Sequence, residues 1–158
     1  MYKRQNLRPG QEEKLELFPA LSHFLKSFEK QQRVKVVFEH CGDDSSLAPK
    51  AKAFLFRIVQ EALQNTSKHA KATKVVVHIE VNHDMLTTSI QDNGKGFDVK
   101  AVSRDPDKWD HFGLRGMKER AKLLGGDARL RSGKGQGTTV IVRIPLGRKG
   151  VEQNGKKS

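Results

Sequence analysis

The apolar positions of this chain change rhythm along its length, and each rhythm predicts an element. Between residues 12 and 30, Leu15, Phe18, Leu21 (or Ser22) and Leu25 recur at helical spacing, which predicts one helix that Pro19 is placed to kink or break. Residues 33–39, RVKVVFE, alternate with Val34, Val36 and Phe38 on one side, as in a strand with one face in the core. A turn-rich loop follows over 41–47, with Ser46 placed to cap the next helix and Pro49 to sit in its first turn. That helix is expected to run to about Ala70.

Residues 74–81 alternate cleanly, with Val75, Val77, Ile79 and Val81 on one face, and Asn82-His83-Asp84 turns the chain into a partner strand over 86–91. The loop DNGKGF at 92–97 leads into a polar stretch, 99–112, that reads as a lid without regular structure. Leu114, Met117, Ala121 and Leu124 mark an amphipathic helix stopped by Gly125-Gly126. A second hairpin, 128–132 with 138–144, closes around glycines 133, 135 and 137. This order predicts an α+β two-layer sandwich, a mixed and mostly antiparallel sheet covered on one face by helices. A doubly wound sheet needs alternating strand–helix–strand crossovers, whereas most successive strands here come as hairpins.

Charge changes this picture less than its size suggests. The net charge of +12 invites a nucleic-acid or membrane-surface reading, but half of it sits in the two ends. Three segments are expected: a basic linker over 1–10, one domain over 11–146 and a basic, disordered tail over 147–158. Cys41 is the only cysteine, so no intrachain disulfide forms and a reducing, cytoplasmic compartment is expected. No apolar run approaches the roughly 20 residues that span a bilayer.

Four places carry candidate chemistry. At 100° per residue, Leu55, Val59, Ala62, Leu63 and Thr66 form the core stripe of the helix over 48–70, while Glu61, Asn65 and Lys68 share another face. Asn65 offers a carbonyl oxygen to a hard cation, Glu61 a carboxylate base and Lys68 a charge for phosphate. Taken alone, the same face reads better as a solvated surface with a weak Arg57–Glu61 pair. Asp92 ends a strand where a carboxylate can accept from an exocyclic amine, with Gly94 and Gly96 beside it, although Asp-Asn-Gly is also a common turn. Gly113 to Met117 opens a helix whose free N–H groups favour an anion. Gly137-Thr138-Thr139 enters the last strand.

In order and spacing, LFRIVQEALQN with Lys68-His69-Ala70, then DNGKGF, GLRGMKERAKLLGG and GTTVIVRIP resemble one family. It is the ATP-binding catalytic domain of sensor histidine kinases, a Bergerat-fold module. The wording is most similar to the nitrate-sensor and degradative-enzyme-sensor subgroup, over about residues 12–146. DNA gyrase, the mismatch-repair MutL proteins and the large heat-shock chaperone share the nucleotide site but not this wording.

The resemblance implies Mg-ATP as cofactor, with Asn65 on Mg²⁺, Glu61 beside the γ-phosphate as base or water organiser, and Lys68 on phosphate. It places Asp92 on the adenine amino group, Gly94 and Gly96 in the wall, Gly113 and Gly116 at the phosphates, and Thr138 behind adenine through a water. Phe97, Leu114 and Met117 complete the binding set from the same motifs, and His69 is a packing residue or phosphate contact. The lid is short, as in the subgroup, and carries no separate phenylalanine motif.

Such kinases hold their substrate histidine in a two-helix dimerisation segment, and none of the six histidines here stands in the matching pattern. The expected partner is therefore a dimerisation and phosphoacceptor segment outside this chain, with a response regulator engaged indirectly. The chain is expected to be an excised domain or a stand-alone protein of this fold. A binding switch of the same fold, such as an anti-sigma factor that phosphorylates a serine, is the rival reading. No nucleic acid is expected as a partner.

Overall fold

The computed structural model describes residues 16–147, so the basic linker, Leu15 and all of the tail but Gly147 lie outside the described residues. Five helices, α1 (Leu17–Gln32), α2 (Pro49–Asn65), α3 (Val99–Ser103), α4 (Pro106–His111) and α5 (Leu114–Leu123), accompany five strands. These are β1 (Lys35–Cys41), β2 (Lys74–Val81), β3 (Met85–Asp92), β4 (Asp127–Ser132) and β5 (Thr138–Pro145), in the spatial order β1-β2-β3-β5-β4. Only β1 and β2 pair in parallel. The hairpin reading is therefore right, and two crossovers complete the sheet: α2 joins β1 to β2, and α3, α4 and α5 join β3 to β4 past β5.

Period-2 burial sets the core. Val75, Val77, Ile79 and Val81 of β2, Leu86 and Ile90 of β3, and Val140, Val142 and Ile144 of β5 face α1, α2 and α5 in a single apolar cluster. The expected stripe of α2 is buried, with Ile58 added to it. Pro19 does not break α1, because it falls in the first turn, where its missing N–H removes no intrahelical bond. Ser46 does not cap α2. Its hydroxyl donates to the Asp43 carbonyl instead, Ala48 holds the N-cap position without a side-chain bond, and Asp43 caps the 3₁₀ turn Asp44–Ser46. The Ser45 backbone N–H holds the Asp43 carboxyl below its ordinary range.

The polar stretch expected to be an irregular lid forms α3 and α4. Each is a short helix capped by an aspartate, Asp98 accepting from the Ala101 N–H and Asp105 from the Asp107 N–H. Within the core, Thr88 stands in register with Ile79 and Val142, and its Oγ1 is buried with no hydrogen-bond partner. Thr88→Val, which exchanges that hydroxyl for a methyl of the same shape, is expected to raise stability by about 1 kcal/mol. A urea titration with an unchanged m-value and a higher midpoint is the check.

Candidate functional site

A cavity of about 690 Å³ opens where α2 ends, β3 ends and β5 begins. That volume lies within the range of small-molecule pockets, about 300–1,000 Å³. Its floor is the Asp92–Thr138 register pair and the apolar side chains of Ala62, Ile90, Leu130 and Val140.

Asp92 is 7% exposed, and its two oxygens are mostly engaged. Oδ1 accepts from the N–H groups of Gly94 (2.9 Å) and Thr138 (3.2 Å), and Oδ2 lies 3.1 Å from the Thr66 hydroxyl. A carboxylate has about four lone-pair positions. Three are taken, and the fourth, on Oδ2, is left for one more donor. Thr66 is 3.2 Å from the Ala62 carbonyl as well, so its single proton is shared between two acceptors.

Thr138 is fixed by a chain of hydroxyls. Ser132 Oγ donates to the Gly137 carbonyl (2.9 Å), which can only accept, so the 2.8 Å contact with Thr138 Oγ1 has Thr138 as donor. Ser132 also receives the Phe97 N–H at 2.9 Å. The Thr138 oxygen therefore meets the cavity as an acceptor. Ser132 carries no motif wording, and its role was legible only from the register that sets it opposite Thr138.

The glycines act between backbones. A Cβ on Gly94 would stand 2.2 Å from the Ala70 carbonyl oxygen, and one on Gly96 2.0 Å from that of Gly133. Through these approaches Lys95 N–H bonds the Ala70 carbonyl (2.7 Å) and Gly135 N–H bonds the Lys95 carbonyl (2.6 Å), lacing three loops into one wall. Gly113 (φ 68°) lets the chain enter α5 past Glu61, whose Oε1 would lie 2.6 Å from a Cβ there.

On α2, Asn65 lines the cavity and its Nδ2 donates to the Phe112 carbonyl at 2.6 Å. Beyond it the helix widens into a π turn, Thr66–Ala70. An i→i+5 turn rotates each residue through a smaller angle than the 100° assumed from sequence, which turns His69 to the cavity and leaves Lys68 exposed and off its lining. His69 packs 4.6 Å from the Phe112 ring, and Phe112 stands edge-on to Phe97 at 5.1 Å.

The cavity thus brings together Asn65, His69, Asp92, Gly96, Phe97, Leu114 and Thr138 of the expected set. Glu61, Lys68, Gly94, Gly113, Gly116 and Met117 do not line it. Glu61 lies 3.8 Å from Arg57, and Met117 is a buried core residue. The lid does contain a phenylalanine at the site: Phe112, which sequence reasoning passed over because it precedes Gly113 without a motif of its own. Lys95, Lys108 and Lys134 also line the cavity unannounced, since a lysine in a loop, or in a helix as short as α4, has no periodicity to mark it. Arg115 at the start of α5 bonds Asp110 of α4 at 2.8 Å, and that bond raises its pKa.

Fold and cavity together define an α+β domain with a small-molecule pocket, and its relatives give the family. Residues 50–148 match the family described as histidine kinase-, DNA gyrase B-, and HSP90-like ATPase, and the chain belongs to that family. It is 44% identical over 132 residues to the signal transduction histidine-protein kinase/phosphatase DegS of Brevibacillus brevis, covering 84% of this chain and 33% of that protein. It is 37% identical over 141 residues to the sensor histidine kinase LiaS of Bacillus subtilis, covering 89% of this chain and 37% of that protein. The chain therefore spans about a third of the length of these relatives. The histidine kinase domain of the Erythrobacter litoralis EL346 blue-light-activated kinase shares the fold, with TM-score 0.65 and 21% identity over 84% of this chain and 62% of that one. Among the described residues no helix is long and apolar enough to cross a membrane.

Proposed function

We propose that this domain binds Mg-ATP and serves as the catalytic domain for phosphoryl transfer to a histidine on a dimerisation segment outside the chain, in two-component signalling. The observation that carries the reading is Asp92, a buried carboxylate at the cavity floor with one acceptor position left over. That position suits the exocyclic amine of adenine. Guanine sets a carbonyl oxygen at the corresponding place, which would meet the carboxylate lone pair against lone pair, so GTP is expected to compete weakly with ATP.

Among the described residues no group of three or more His, Cys, Asp or Glu could hold a metal by itself. A single amide ligand fits Mg²⁺, which keeps waters and takes the rest of its shell from phosphates. Asn65 would hold the ion, which when bound neutralises charge developing on the phosphates. The first N–H groups of α5 and the ammonium groups of Lys95, Lys108 and Lys134 supply positive potential around the polyphosphate. Glu61, held next to Gly113, orders the approach of the acceptor from the α2 side.

Transfer needs an acceptor nitrogen near the γ-phosphate. His69 packs against the Phe112 ring on the cavity side of a helix turn, and the acceptor is expected on the dimerisation segment instead. The chain alone is therefore expected to bind ATP yet incorporate negligible phosphate, and addition of a histidine-bearing dimerisation segment is expected to restore labelling of that segment. Labelled ATP followed by acid and base treatment reads this, because phosphohistidine is acid-labile and base-stable. Strong acid-labile label on the chain by itself, lost in His69→Ala, would overturn the assignment.

A further inference from the structure

We propose that Phe112 is a positioning residue for cation-dependent nucleotide binding: its main-chain oxygen holds the Asn65 amide so that the amide oxygen, and not the nitrogen, is presented to the ion. The inference rests on the reading of Asn65 as the cation ligand.

An asparagine amide has a donor end and an acceptor end, and rotation by half a turn exchanges them. Only the oxygen can ligate a hard cation. At Asn65 that choice is made by a residue 47 positions away. The Phe112 carbonyl, which can only accept, lies 2.6 Å from Nδ2 and so commits the nitrogen, leaving Oδ1 at the opposite end of the planar amide.

The Phe112 peptide is itself held. Its N–H donates to the Lys108 carbonyl at the end of α4, and its ring packs against His69 at 4.6 Å and Phe97 at 5.1 Å. These contacts join the α3–α4 segment to both the α2 end and the DNGKGF loop. The same bond that orients Asn65 thus pins the segment over the cavity, and neither can be released without the other. Outer groups that orient a metal ligand typically contribute about 10–100-fold to metal affinity.

The test compares ADP affinity with and without Mg²⁺ by calorimetry in the whole chain, the ratio of the two being the metal-dependent part. Phe112→Ala, which removes the ring contacts that hold the Phe112 peptide in place, is expected to lower affinity with Mg²⁺ about tenfold more than affinity without it, and Phe112→Tyr, which keeps the ring, to restore the parental ratio. Asn65→Asp sets a carboxylate against the Phe112 carbonyl, acceptor against acceptor. It is therefore expected to speed hydrogen exchange of amides 107–113 with no nucleotide or metal present. An unchanged ratio in Phe112→Ala, beside a collapsed ratio in Asn65→Ala, overturns the positioning role and leaves Asn65 as ligand. Equal loss with and without Mg²⁺ makes Phe112 a plain nucleotide contact and likewise overturns the role. An unchanged ratio in Asn65→Ala overturns the ligand reading beneath, and the positioning role with it.

Discussion

Asp92→Asn is expected to fold like the parent and to bind ATP at least about tenfold more weakly, whereas Asp92→Ala is expected to lose both fold stability and binding. The difference follows from what the carboxylate already does. In the asparagine variant, Oδ1 continues to accept from Gly94 and Thr138, and Nδ2 meets the Thr66 hydroxyl oxygen, which can accept. What disappears is the remaining acceptor position on Oδ2, now occupied by an N–H that faces the adenine amine. Loss of a hydrogen bond to a charged acceptor costs about 1.5–3 kcal/mol, more than tenfold in affinity. In the alanine variant two buried N–H groups lose their acceptor as well, at about 1–3 kcal/mol each. Calorimetry with ATP beside thermal melts separates the cases. Parental ATP affinity in Asp92→Asn would remove Asp92 from the adenine site.

The second large effect is expected at Gly96. It has φ 65°, where a Cβ costs roughly 1–2 kcal/mol, and that Cβ would meet the Gly133 carbonyl oxygen at 2.0 Å and the Gly137 carbonyl oxygen at 2.8 Å. Backbone cannot move aside as a flexible side chain can. Gly96→Ala should therefore break the Lys95–Gly135 bond and lower stability by more than about 3 kcal/mol, taking nucleotide binding with it. Gly135 is the control: it has φ 77° but nothing within 4 Å of an added Cβ, so Gly135→Ala should cost only the conformational term of about 1–2 kcal/mol. Equal costs at the two positions would show that close approach contributes nothing.

The sheet was legible because strand alternation is a strong and local signal: β2 and β3 have the bounds that their valines, isoleucine and leucine predict, to within a residue. Short helices were not. α3 and α4 have five and six residues, less than two turns each, too short for an apolar period to repeat, and only their aspartate caps announce them. Residues of the cavity lining were legible where a motif fixed them, as at Asp92, Asn65 and Thr138. The π turn was not, because widening by one residue leaves no compositional mark, and so Lys68 was assigned a face that His69 occupies. At Gly94 and Gly96 of DNGKGF the structure adds a use that the motif does not show: both admit neighbouring backbone, that of Ala70 and that of Gly133. Ser46 does not reach the cap of α2 because it ends a 3₁₀ turn that Asp43 caps, two residues before Ala48 at the α2 N-cap.

The two sides of the cavity are built from different materials. One wall is main chain against main chain, through Gly94, Gly96 and Gly137, and its shape is set once the domain has folded. The other, across from it, is held by one amide and three rings. A ligand that meets both finds one side set by backbone and the other by side chains, which can repack without unfolding the sheet. Drift in sequence should therefore alter how fast nucleotide enters and leaves long before it alters which base is chosen. Variants selected for exchange rate should gather in 98–113, and the wall should stay silent.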